Sequence, residues 1–349
     1  MAAGTSIACR LAARHFVVRQ QYVGASDWKR LGALGRVPHR AGFTDMTGGH
    51  MALRARVGII LAGAAALTLA INDVSVPFSY ARGFTPPTVV LARFAFLLTS
   101  LVVLLPVLGL SYRLPRTHMR HALGSGVATA IATLGLLGSF AYIPVGLAVV
   151  VLYTFPMLTV LLECAYARRF PGIIEFACLI AALAGIGIAV GFNDVAIAPI
   201  GILLATIAAL GFAASIFWNS IKLRSAEATI VTFYIAIAGV ITTALYLAVT
   251  GNFAVTPQPG FSAWVPLLVT CFFFTLSFLA MFKAVEFAGG APTAMLLNLE
   301  PVFAIGLAAL LLGENLTLPR ILGSALVIGA VVVSEIARKG KDVAVEPVG

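Results

Sequence analysis

Charge is what this sequence has least of. Only 10% of its 349 residues are Asp, Glu, Lys or Arg, where a soluble domain carries roughly 25%. So few charges cannot cover a water-facing surface of this size, which excludes a soluble globular domain. Acids are scarcer still: 13 against 23 bases, for a formal net charge of +10. No hydrophilic segment interleaves bases with aromatics, so the excess does not read as a nucleic-acid surface. The bases fall in short segments between apolar runs, where membrane topology accounts for them. Four scattered cysteines, Cys9, Cys164, Cys178 and Cys271, give neither a disulfide framework nor a CxxC metal pair. They read as small membrane-helix residues. HExxH and GxxxxGK[ST] are both missing, which leaves enzymatic chemistry and direct ATP use without support. No cofactor and no metal is expected.

What the chain has instead is apolar length: 60% of it is hydrophobic, with a mean hydropathy of +1.03. Ten windows can cross a hydrocarbon core about 30 Å thick: 57–80, 88–109, 119–141, 144–165, 172–192, 198–219, 228–250, 262–286, 289–312 and 317–337. Turn or charge signals separate them, among them Phe84-Thr-Pro-Pro87, Arg113 to Arg120, Arg168-Arg-Phe-Pro171, Asn193-Asp194, Lys222 to Glu227, Pro257-Gln-Pro259 and Gly289-Gly290. Backbone polar groups in lipid must be bonded within the segment, so each window is read as a helix.

Residues 1–50 differ. They hold seven Lys/Arg, three His and two acids, with no spanning run and no apolar core before a cleavage site. They read as a disordered N-terminal extension or as a mis-assigned start, with Met46 or Met51 in place of Met1. Residues 338–349 form a tail. With the N-terminus inside, thirteen Lys/Arg from residue 51 on fall in inner segments and two, Arg82 and Arg320, in outer loops. That bias places both termini in the cytoplasm of an inner membrane.

Tyr153-Thr-Phe-Pro156-Met-Leu recurs in outline as Asn298-Leu-Glu-Pro301-Val-Phe, 145 residues later. Each copy lies in a span that follows a tight Pro/Gly turn and precedes a glycine-containing span. Five spans per half is an odd number, so the second half must be inverted relative to the first. The expected units are 57–192 and 198–337, an all-α integral membrane protein of two inverted five-helix repeats, which is a transporter architecture.

The second half also carries Ala291-Pro-Thr-Ala-Met-Leu-Leu-Asn-Leu-Glu-Pro-Val-Phe-Ala304, Leu311-Leu-Gly-Glu314, Gly323 and Gly329. The first half carries Pro86, Arg93, Pro156 and Gly185 to Gly191. In these residues the chain resembles the drug/metabolite transporter superfamily, in its ten-helix form with two EamA-type repeats. The first repeat departs by having Arg168-Arg169 where the second has Gly313-Glu314. The resemblance implies export or exchange of small metabolites, often amino acids or related compounds, without ATP hydrolysis. It also implies that Glu314 caps a short outer turn.

Ionisable residues at membrane depth are functional hypotheses by default. Glu300 sits mid-span beside Pro301, which loosens the helix by withdrawing an N–H and obstructing the Leu297 carbonyl. On helical spacing Glu300 shares a face with Thr293, Leu297 and Ala304. It reads as a proton carrier or a partner for a substrate ammonium, against a carboxyl that only fixes packing. Asp73 and Arg93 fall at similar depth in neighbouring spans and are expected to pair. That pair is either opened by an anionic substrate group, which a planar guanidinium suits, or a permanent bridge. Tyr153 and Asn298, at matching positions of the repeat, are the favoured lining residues, and Pro156 and Pro301 the helix breaks. Glu163, Arg168, Arg169 and Glu175, like Lys283 and Glu286, read as interfacial anchors. The expected function is a secondary carrier whose partners are a small-molecule substrate and the lipid bilayer. The alternatives are a drug efflux carrier, or a receptor or assembly factor that moves nothing.

Overall fold

The computed structural model describes residues 44–190, 198–223, 225–251 and 261–344. Most of the N-terminal extension, the turns at Asn193-Asp194 and Pro257-Gln-Pro259, and the last five residues lie outside them. The chain divides into two compact units, Met1–Met51 and Ala52–Gly349. All the helix packing described below lies within the second.

Every regular element among the described residues is helical. In order they are α1 (Thr44–Tyr80, with apolar span Arg54–Tyr80), α2 (Pro86–Val107), α3 (Arg116–Ser139), α4 (Val145–Leu152), α5 (Phe155–Tyr166) and α6 (Ile173–Val190). The second half continues with α7 (Pro199–Lys222), α8 (Ala228–Thr250), α9 (Val265–Ala288), α10 (Gly290–Leu297), α11 (Glu300–Leu312) and α12 (Leu318–Ala344). Proline opens α2, α5, α7, α9 and α11, where its missing N–H costs nothing and its fixed φ suits the first turn.

Eight of the expected spans are long and apolar enough to cross a membrane, with α4 and α5 together making one of them. The fifth and tenth are shorter apolar helices, Ile173–Ala189 and Leu318–Ser334. The largest departure from ten continuous helices is that the fourth and ninth spans are each divided in two.

The packing pairs equivalent spans of the two halves. α2 lies on α8, α4 on α11 and α6 on α12; α3 on α8 is answered by α2 on α9. Small residues permit the close approaches. A Cβ built on Gly126 would stand 2.6 Å from Ala238 Cβ, and one on Gly135 2.7 Å from the Leu204 carbonyl oxygen. Hydroxyls pin α3 to α7, with Ser215 Oγ 2.7 Å from Ser125 Oγ and 2.8 Å from Thr129 Oγ1. The principal core gathers Val89, Phe94, Leu137, Val149, Tyr153, Cys271 and Ala304, bringing α2, α3, α4, α9 and α11 around one centre.

Candidate functional site

The two divided spans set the site. Proline offers no N–H to the carbonyl four residues before it, so Pro156 and Pro301 leave the Leu152 and Leu297 carbonyls without their usual intrahelical bonds. Each span responds by stopping and restarting. Tyr153 and Thr154 separate α4 from α5, and Asn298 and Leu299 separate α10 from α11. The sequence predicted a loosened helix; the structure has two breaks. The shared face drawn from continuous spacing is corrected accordingly. Thr293 and Leu297 belong to α10, whereas Glu300 opens α11 together with buried Ala304.

The breaks meet across the repeats. Tyr153 of the first places its hydroxyl oxygen 2.8 Å from Glu300 Oε2 and 2.9 Å from the oxygen of the Leu297 carbonyl, freed by Pro301, with a single hydrogen to share between them. Tyr153 is 5% exposed and Glu300 6%. Asn298, the repeat counterpart of Tyr153, is half-buried at the second break; the aromatic residue, not the amide, bridges the halves.

Asp73 and Arg93 come together as the span depths predicted. Arg93 Nη2 stands 3.8 Å from Asp73 Oδ1, and both residues are 3% exposed. Asn72 Nδ2 donates to the same Asp73 oxygen at 2.8 Å. The Arg93 Cζ lies 4.2 Å from the centre of the Phe274 ring, within cation–π range. Tyr80, further along α1, donates to the Leu137 carbonyl at 2.6 Å. The charges of Asp73, Arg93 and Glu300 act on one another, so the two pairs form one electrostatic group at the centre of the bundle. All four residues are buried.

Glu314 is the residue that sequence reasoning placed too locally. Its carboxylate does not cap its own turn. Oε1 accepts the Val145 N–H at 2.6 Å and Oε2 the Gly146 N–H at 3.3 Å. An acid at the positive N-terminal end of a helix is favourable, and here the helix, α4, belongs to the other repeat. Burial raises the Glu314 carboxyl above its ordinary range, against the opposing pull of these two amides and of Arg320. Gly313 turns α11 into this position with φ 68°. At the matching position of the first repeat Arg168 has φ 50°, so the backbone turn is kept while the acid is not. The signal in the sequence was the Pro144-Val-Gly146 turn together with Gly313-Glu314, but nothing in their spacing tied one to the other. Removing the carboxylate orphans two partly buried donors, so Glu314→Ala is expected to lower stability by about 1–3 kcal/mol. A thermal melt of the purified protein measures this, and an unchanged Tm would show that the cap carries no weight.

Four of the charged residues read as interfacial anchors form two ion pairs. Arg169 Nη1 lies 3.6 Å from Glu175 Oε2, which also accepts the Gly172 N–H at 2.7 Å, and Lys283 Nζ bonds Glu286 at 2.7 Å.

Residues 199–335 match the model of the EamA-like transporter family, which lies within the drug/metabolite transporter superfamily. A solved structure described only as "Crystal structure of protein" superposes with a TM-score of 0.54 at 17% identity, covering 81% of this chain and 98% of that one. At that identity the likeness shows the fold alone. No curated protein matches the chain.

Proposed function

We infer, from a multi-pass chain whose residues 199–335 match the EamA-like transporter family, that this protein is a secondary transporter of small metabolites. On this reading it lies in the inner membrane with both termini in the cytoplasm. It exports amino acids or related compounds, driven by protons or by exchange. The observation that carries the reading is the Tyr153–Glu300 contact joining two broken helices. Broken helices facing each other from inverted repeats are where secondary carriers place their binding sites. Rocking of the repeats about that contact would open it to each side in turn.

The same contact supports proton coupling. A tyrosine hydroxyl has one hydrogen, yet Tyr153 Oη faces two acceptors, the Leu297 carbonyl and Glu300 Oε2. One hydrogen satisfies one of them. With a proton on Glu300, the carboxyl donates to Tyr153 and Tyr153 donates to Leu297, and the chain of bonds is complete. Glu300 can therefore exchange a proton while its partners stay in place. Proteoliposome flux tests the function as a whole, using the substrate class that an overexpressing strain comes to tolerate. Saturable binding with no net movement would replace the transporter by a receptor.

A further inference from the structure

A guanidinium buried in a membrane protein is expected to have its donors filled. Those of Arg93 are not. Of its five N–H groups, the ones on Nε and Nη1 have no acceptor. Its counter-ion approaches only Nη2, at 3.8 Å, beyond hydrogen-bonding distance. Asp73 is held instead by the Asn72 amide at 2.8 Å, and the other end of that amide, Asn72 Oδ1, is buried without a partner. Phe274 covers one face of the guanidinium and fixes its plane. A permanent structural bridge would use the fork, with two short parallel bonds. Here the fork is oriented, charge-balanced at a distance, and left with an open donor on each edge.

We propose that Arg93, seated on Phe274 and flanked by Asn72, is the anion subsite of the transported molecule, taking a carboxylate or an equally compact planar oxyanion. This rests on the transporter reading. Asp73 is the resident counter-ion that keeps the guanidinium in place between substrates. The arriving oxyanion bonds Nη2 together with either Nε or Nη1, and Asn72 Oδ1 accepts a donor from the same molecule. The subsite lies within electrostatic reach of Glu300, so one substrate can sense both the anion site and the proton site.

The test is thermal stabilisation of the purified full chain by sodium monocarboxylates from formate to benzoate, each compared with its primary amide at constant ionic strength. At least one carboxylate is expected to raise Tm saturably where its amide does not. Arg93→Lys keeps the charge but loses the planar fork, and is expected to weaken that carboxylate by about tenfold or more. The double variant Arg93→Gln, Asp73→Asn removes both charges with little change of shape and should abolish the preference. If no carboxylate outperforms its amide, or if the double variant retains the preference, the subsite is wrong. Arg93-dependent carboxylate binding by a protein that moves no solute would uphold the subsite and remove the transporter reading instead.

Discussion

Glu300→Gln is expected to eliminate net flux driven by a pH step. Glutamine has the shape of the protonated acid and cannot release a proton. It holds the Tyr153 and Leu297 contacts permanently in the arrangement that the protonated carboxyl would adopt. A carrier so fixed cannot alternate between its protonated and proton-free forms, so a pH gradient has nothing to drive. Tyr153→Phe is the matched control. It keeps the carboxyl but removes the hydroxyl bonded at 2.8 Å, so it should displace the pH profile of flux without erasing it. Both measurements are made in proteoliposomes of defined internal pH. Pump-like accumulation by Glu300→Gln, with the wild-type pH dependence, would reduce this carboxyl to a packing element.

The second large effect concerns folding. α6 and α12 cross with their backbones in contact at Gly185 and Gly323. A Cβ added to Gly323 would stand 2.5 Å from the Ala189 nitrogen, and one on Gly185 would stand 2.7 Å from the Gly323 oxygen. Backbone cannot swing aside as a side-chain tip can, so the helices must separate. Separation removes the small-residue packing that holds them in lipid, where no hydrophobic force draws helices together. Gly323→Ala is expected to cost at least the roughly 1–3 kcal/mol typical of overpacking and to reduce the yield of monodisperse protein in size-exclusion chromatography. Gly187 and Gly329 lie in the same two helices, and a Cβ at either meets nothing within 4 Å. Alanine at those two positions should be neutral or stabilising, since it improves helix propensity by up to about 1 kcal/mol. A Gly323→Ala protein that melts with the wild type would contradict the close crossing.

The helical membrane class and the apolar segments were legible because they depend on local composition. Hydrocarbon thickness sets the length of a span, and the rule that backbone must be bonded internally sets its conformation. Depth was also legible. Counting residues from the ends of two spans sufficed to predict that Asp73 meets Arg93, because helical rise converts sequence separation into height. Pro156 and Pro301 marked where the fourth and ninth spans weaken. They did not show whether each span would bend or divide, since that depends on whether a group from elsewhere takes up the freed carbonyl.

Tertiary structure decided the rest. Tyr153 and Glu300 are 147 residues apart, and Glu314 and Val145 are 169 apart. Each pair forms because the fold packs α4 of the fourth span against α11 of the ninth. Periodicity reports which face of a helix is buried and nothing about which helix covers it. Sequence alone therefore determined what each residue costs to bury and at what height it lies. For Glu300 and Glu314 only the fold decided which partner offsets that cost, because that partner lies in the other half of the chain.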